Sequence, residues 1–279
     1  LRALVAGAGY LGEALARALV AAGHDVVVLR RSESPPPPGA RAFRADLTRP
    51  GTLDALPAAD LVFYTAAADA RSDAAYYRAY VEGVARLIER LAREPQPPRR
   101  LLFTSSTAVY GQQDGEWVDE SSQTVPADFA GRRLLEGEAR VLSAPFPGTV
   151  LRLGGIYGPG RSSLIERARS GAAGGAGYTN RIHRDDAAGA LVHLALLPAA
   201  APRYLGVDCE PAREADVLAW LAERLGVPAG SAPGAAPPAP RRARGSKRCR
   251  NALLLASGYR FRYPTYREGY GALLGGCDA

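Results

Sequence analysis

The stretch Leu4-Val5-Ala6-Gly7-Ala8-Gly9-Tyr10-Leu11-Gly12 limits what this chain can fold into more than any other. An apolar run leads into Gly7-x-Gly9-x-x-Gly12, and Glu13 to Ala22 reads as a helix. Strand, glycine turn and helix N-terminus in that order make a dinucleotide-binding arrangement. Gly7 permits the tight turn, Gly9 lets a pyrophosphate approach the backbone, and Gly12 lets helix and strand pack closely. The exposed amides from Tyr10 and Leu11 onward, with the helix dipole, favour a diphosphate. A second strand, Asp25 to Arg30, follows at βαβ spacing. The alternative is a glycine turn with a structural role alone.

The second strand ends in Arg30-Arg31-Ser32, where an NAD site usually places Asp or Glu on the ribose hydroxyls. A carboxylate repels a 2′-phosphate, whereas arginine pairs with it in a charge-assisted fork. NADP is therefore expected ahead of NAD, the alternative being that both arginines face water. After an extended Pro35–Pro38 connection and a third strand, Arg41 to Ala45, come Asp46-Leu47-Thr48. Asp46 is placed to meet an adenine amino group, or equally to cap a short helix near Gly51 to Leu56. The buried fourth strand, Leu61 to Thr65, runs into Ala66-Ala67-Ala68, small residues against which a cofactor can lie.

Further on, Ser72 to Ala92 has helical spacing, with Tyr77, Tyr80, Val84, Leu87, Ile88 and Leu91 on one face. Arg100 to Ser105 is a fifth strand leading into Ser105-Ser106-Thr107-Ala108-Val109-Tyr110-Gly111. Asp128 to Leu142 is a helix and Thr149 to Leu153 a sixth strand. This alternation specifies an α/β fold, a Rossmann-like doubly wound parallel sheet with a smaller C-terminal substrate lobe. Residues 1–153, completed by 184–207, form the nucleotide-binding domain, and 154–183 with 208–279 form the lobe. In the lobe a helix lies near Ser162 to Arg169 and a strand at Tyr178 to His183. Asp185 or Asp186 caps the helix that runs to Leu197. Pro228 to Arg244 reads as a loose surface loop.

The formal charge of +7 is local in origin: Arg241, Arg242, Arg244, Lys247, Arg248 and Arg250 crowd together, as a solvated loop or an anion-binding patch. Cys209, Cys249 and Cys277 are too widely spaced for a zinc site, so no metal is expected. No stretch is long and apolar enough to span a bilayer, and no signal peptide is expected ahead of the first strand. A cytoplasmic protein with a small-molecule substrate, and neither membrane nor nucleic-acid partner, is the expectation.

Gly7 to Gly12, Asp46-Leu47, Ala66 to Ala68, Ser105 to Gly111, Leu151 to Gly160, Ile182 to Asp186 and the Gly258 to Pro264 ending together resemble the extended short-chain dehydrogenase/reductase superfamily, of the NAD-dependent epimerase/dehydratase type. The resemblance implies a substrate cleft at the carboxyl ends of the strands and a homodimer through the two helices Ser72–Ala92 and Asp128–Leu142. It puts Ser106 at the position of the hydroxyl that polarises the reacting oxygen, with Thr107 beside it. It also calls for a tyrosine four residues before a lysine, and this chain has no such pair. Its single lysine is Lys247, and Ala243 stands four residues earlier. One alignment register puts Ala130 and Leu134 at those positions; the next puts Phe129 and Arg133 there. Arg133 can hold a cofactor ribose but is a poor proton donor. His183 and Tyr157 are replacement acids to consider, each with the alternative of a packing role, and Tyr110 is a third. The expected function is an NADP-linked oxidoreductase or epimerase/dehydratase-type enzyme with a non-standard acid/base. The alternative is a catalytically inactive nucleotide-binding sensor or scaffold.

Overall fold

The computed structural model describes residues 1–227 and 245–275. Its first strand, β1 (Arg2–Ala6), lies inside a parallel sheet and is buried on both faces, which is why Ala3 to Ala6 is apolar without alternation. The chain continues through α1 (Tyr10–Ala21), β2 (Asp25–Arg30), β3 (Ala40–Arg44) and β4 (Leu61–Tyr64). Next come α2 (Asp73–Tyr77), α3 (Gly83–Ala92), β5 (Arg100–Ser106), β6 (Glu116–Val118) and α4 (Phe129–Leu142). Then follow β7 (Gly148–Leu153), β8 (Gly155–Tyr157), α5 (Ser163–Arg169), β9 (Tyr178–Thr179), β10 (Arg181–His183) and α6 (Arg184–Leu196). The remainder is β11 (Arg203–Gly206), β12 (Ala212–Arg213), α7 (Glu214–Arg224), β13 (Lys247–Cys249), α8 (Ala252–Ala256) and α9 (Tyr266–Gly275).

Seven strands form the main sheet in the order β11-β7-β5-β4-β1-β2-β3, all parallel. The order reverses between β1 and β4, and in sheets of this kind ligands sit outside the strand ends at that point. One face is covered by Val84, Leu87 and Leu91 of α3 with Leu134 and Val141 of α4. The other is covered by Leu11, Leu15 and Leu19 of α1 with Ala190, Leu191 and Leu194 of α6. A third cluster, from Tyr157, Ile165, Ala168, Val217, Leu218, Leu221, Tyr266 and Tyr270, joins α5, α7 and α9 to β8. Among the described residues no helix is long and apolar enough to cross a membrane, and no group of three or more His, Cys, Asp or Glu could hold a metal.

Several local expectations need correcting. The helix expected over Ser72–Ala92 is interrupted by a π turn at Arg78–Glu82, where the Tyr64 phenol donates to the Ala79 carbonyl. The wider turn shifts the phase of the helix, so Tyr77 stands 42% exposed while Val84, Leu87 and Leu91 are buried. No helix forms at Gly51–Leu56, where the chain makes successive turns. The strand expected at Tyr178–His183 is two short strands, because the Asn180 amide donates to the Lys247 carbonyl at 2.9 Å and accepts from the Cys249 N–H at 2.7 Å. Those bonds tie Asn180 to β13. The helix after His183 is capped by His183 itself, whose Nδ1 accepts from the Asp185 N–H at 3.2 Å, and not by Asp185 or Asp186. Of the basic cluster, Arg241, Arg242 and Arg244 lie outside the described residues, as do the whole Pro228–Arg244 stretch and Cys277. Lys247 is buried and donates to the Tyr110 carbonyl at 2.9 Å, so it belongs to the fold rather than to a solvated loop.

Candidate functional site

The glycine turn lies against the start of the loop after β4. Gly7 has φ +119°, and a Cβ there would stand 2.3 Å from the Ala66 amide nitrogen. Thr65 Oγ1 donates to the Gly7 carbonyl at 2.7 Å, and a Cβ on Gly12 would stand 1.9 Å from that same oxygen. Turn, helix and the Thr65–Ala66 backbone are thus packed without room for side chains. At Gly9 the situation is opposite: a Cβ would meet nothing within 4 Å. Gly9 is also the N-cap of α1 and supplies no side-chain hydrogen bond to the helix. Open space above uncapped amides fits a diphosphate, which would accept from the N–H groups near Tyr10 and Leu11.

At the end of β2 the two arginines part company. Arg30 is 9% exposed. Its guanidinium donates to Ser32 Oγ at 3.2 Å and to the Pro35 carbonyl at 2.8 Å, with Glu13 3.8 Å away. It braces the turn. Arg31 is exposed and meets Asp69 at 3.3 Å, on the surface beside that turn. Asp46 caps its own turn, its Oδ1 accepting from the Thr48 N–H at 2.9 Å and the Thr48 hydroxyl at 2.7 Å. Burial pushes its carboxyl upward, but Thr48 and the charges of Arg31 and Arg49 outweigh that and hold it below the usual carboxylate range. Leu47 beside it is buried.

At the end of β5, Ser106 Oγ accepts from the Ala108 N–H at 3.1 Å and caps a short 3₁₀ turn at Thr107–Val109. The half-buried Ser106 and Thr107 stand at the carboxyl edge of the sheet. Behind them is a buried network that sequence reasoning missed. Ser105 Oγ donates to Glu138 Oε1 at 2.6 Å, Arg152 meets Glu138 at 2.7 Å, and Arg152 also donates to the Tyr110 hydroxyl at 2.7 Å. The phenol in turn donates to the Asp119 carbonyl at 2.7 Å. Burial outweighs the arginine and pushes Tyr110 up to about 12. The signal was legible: Glu138 shares a helix face with Leu134 and Val141, and Arg152 interrupts the apolar run Val150–Leu153.

On α4, the positions where the family's tyrosine and lysine would stand hold no acid. Ala130 and Leu134 are each 4% exposed. In the other register, the Phe129 ring meets Tyr76 edge-on at 5.4 Å. Arg133 donates twice to Asp73 at 2.8 Å and once to Glu136 at 2.7 Å. Its guanidinium therefore joins α2 to α4. Asp128 caps α4 by accepting from the Ala130 and Gly131 N–H groups, and its second oxygen accepts from Arg71 at 2.8 Å.

The paired strands β8 and β10 bring Tyr157 opposite His183, their rings edge-on at 5.4 Å. His183 is buried; burial lowers its pKa against the opposing carboxylates of Asp185 and Asp186, so it is neutral near pH 7 with the proton on Nε2. Tyr157 stacks on Tyr270 at 4.4 Å, and its hydroxyl is buried with no partner among the described residues. Burial raises its pKa far above the usual phenol value. Asp208, at the exit of β11, is 1% exposed. One of its oxygens accepts from the Glu210 N–H at 3.2 Å and the other has no partner among the described residues. Burial pushes this carboxyl up to about 8, against the opposing charge of Arg181. Asp186 gathers the C-terminal tail, accepting from the Tyr259 hydroxyl at 3.0 Å and from the Arg262 and Tyr263 N–H groups at 2.7 and 2.9 Å.

Comparison with known proteins is consistent with this geometry. The family model described as the NAD dependent epimerase/dehydratase family matches residues 3–195. A Streptomyces protein named 3-diazoavenalumate denitrifying reductase is 36% identical over 255 residues, covering 82% of this chain and 83% of its own. A Stenotrophomonas maltophilia 2-alkyl-3-oxoalkanoate reductase is 31% identical over 251 residues, covering 80% of this chain and 74% of its own. A solved structure from Methylobacillus flagellatus, described as an NAD-dependent epimerase/dehydratase, is 38% identical with a TM-score of 0.84 and covers 100% of this chain and 99% of its own.

Proposed function

The chain belongs to the NAD dependent epimerase/dehydratase family, and from that premise we propose that it is an NADP-linked reductase that works without the family's tyrosine–lysine pair. The observation that carries the reading is the open, uncapped N-terminus of α1 beside an exposed Arg31, on a strand end that lacks a carboxylate. The amides after Gly9 would hold the diphosphate, Ala66 and Ala67 would lie against the cofactor, and Arg31 with Ser32 would hold the 2′-phosphate. When bound, the nicotinamide supplies the hydride. Ser106 would donate its hydroxyl hydrogen to the reacting atom while its oxygen stays fixed by the Ala108 N–H.

General acid–base help is typically worth about 10²–10⁴-fold. Ala130 and Leu134 provide none, Tyr110 and Tyr157 are buried phenols that hold their protons, and neutral His183 is enclosed. Acceptors that need little proton transfer from the protein suit such a site better than unactivated ketones. The name of the Streptomyces relative, a reductase of a diazo compound, points in the same direction.

NADPH and NADH titrations test the cofactor. Tighter NADPH binding, lost in Arg31→Ala, is expected, and equal affinity for the two would refute the assignment of Arg31. Imines, diazo compounds, aldehydes and ketones screened for NADPH oxidation test the reaction, with Ser106→Ala expected to lower any turnover at least tenfold. Nucleotide binding with no turnover on any class would favour the second reading, a sensor or scaffold, for which the buried Ala130 and Leu134 are the supporting observation.

A further inference from the structure

We propose that Arg161 and Arg184 form a charged second wall of the diphosphate site, facing the neutral amides of the glycine turn. This rests on the reading that the turn binds a dinucleotide. The guanidinium carbon of Arg161 lies 4.0 Å from the Tyr10 ring centroid, and that of Arg184 lies 5.1 Å from it. Tyr10 is the first residue of α1. Both cations are therefore held at the positive end of a helix dipole, where a cation is disfavoured and an anion is favoured. Stacking on the Tyr10 ring keeps them there. Arg161 has no carboxylate within ion-pair distance among the described residues; its guanidinium donates to the Ile156 carbonyl at 3.0 Å. Arg184 shares its charge with Asp185 at 3.0 Å. A diphosphate between the turn and this pair would neutralise both guanidiniums and accept charge-assisted hydrogen bonds from them.

The backbone is built to bring the pair in. Tyr10 donates its hydroxyl to the Pro159 carbonyl at 2.9 Å, latching the loop after β8 onto α1. Gly158 in that loop has φ +145°, and a Cβ there would stand 2.9 Å from the Tyr10 hydroxyl and 3.2 Å from His183 Nε2. A side chain at this position would push the loop, and Arg161 with it, off Tyr10. On the other side, His183 caps α6 and so fixes Arg184, the first residue of that helix. Elements from three separate parts of the sequence thus meet above one turn. The sequence pattern of the glycine turn gave no sign of the two arginines.

The test uses calorimetric binding of ADP-ribose, which carries the diphosphate without nicotinamide, and of adenosine, which carries no phosphate. Arg161→Ala and Arg184→Ala are each expected to weaken ADP-ribose and NADPH about tenfold, the loss of one charge-assisted contact, while adenosine stays within twofold of the wild type. Arg161→Gln serves if the alanine variant folds poorly, with the same expectation. ADP-ribose binding within twofold of wild type in both arginine variants overturns the wall and leaves the dinucleotide reading standing. Equal losses for adenosine and ADP-ribose also overturn the wall, because they report lost structure rather than a lost phosphate contact. Wild-type protein that binds neither NADPH nor ADP-ribose overturns the dinucleotide reading and the wall with it.

Discussion

Asp208 sits where a carboxylate is hardest to keep ionised, buried at the exit of β11 with one oxygen unpartnered among the described residues. Its pKa stands at about 8 against an ordinary value of 3.8, because burial outweighs the attraction of Arg181. The folded protein therefore holds a proton that the unfolded chain has already released. Between about pH 4 and pH 8 the unfolded state binds fewer protons, so stability falls as pH rises and levels off above about 8. Asp208→Asn is expected to flatten that decline, which melting temperatures at pH 5, 7 and 9 would register; an unchanged slope refutes it. The buried Glu138–Arg152 pair makes a different demand. Removing Arg152 leaves Glu138 with the Ser105 hydroxyl at 2.6 Å and the half-exposed Arg203 at 3.7 Å, so Arg152→Met should destabilise by about 2–3 kcal/mol, and adding Glu138→Leu should recover part of the loss. Chemical denaturation of the single and double variants would measure both. Neither residue's role was drawn from the sequence. The chain places an acid or an arginine at an inward position in plain view, but which other inward charge it meets depends on the sheet order.

Helices and strands were the most legible features, since their apolar spacing follows from which face is buried. Strands β2, β4, β5 and β7 come out within a residue of the sequence reading, because both faces of the sheet are covered, whereas α1 starts three residues earlier than read, at Tyr10, inside the glycine turn. The exceptions have local causes. The π turn follows from a phenol on β4 that claims a carbonyl of the facing helix, a long-range bond that no local spacing encodes. The split between β9 and β10 follows from the Asn180 bonds to β13. The cap of α4 was legible, because Asp128 precedes the periodic run and its Oδ1 accepts from the Ala130 and Gly131 N–H groups at 3.0 and 3.2 Å. Asp128→Ala should cost about 1 kcal/mol. A lower denaturant midpoint with an unchanged slope would show it, and an unchanged midpoint would refute the cap.

On the scale of the whole molecule, the glycine turn and β5 end at the same edge of the sheet, on either side of the point where strand order reverses. That placement follows from right-handed crossovers and was implicit in the strand–helix alternation. What the alternation hid was the division of labour between neighbouring arginines. Arg30 is spent on the fold and Arg31 is left to the surface. Arg30→Ala should lower the melting temperature by several degrees, whereas Arg31→Ala should leave it within a degree and alter only nucleotide preference. A thermal scan beside the NADPH titration separates the two; matching losses of stability would show that both arginines serve as struts. Asp186 has a consequence for biosynthesis. Its carboxylate takes hydrogen bonds from residues 259–263, more than seventy positions downstream. A ribosome-bound nascent chain can lay down the sheet, but α6 keeps an unsatisfied acid until that late segment emerges. Completion of the native state is therefore postponed until translation has passed residue 263.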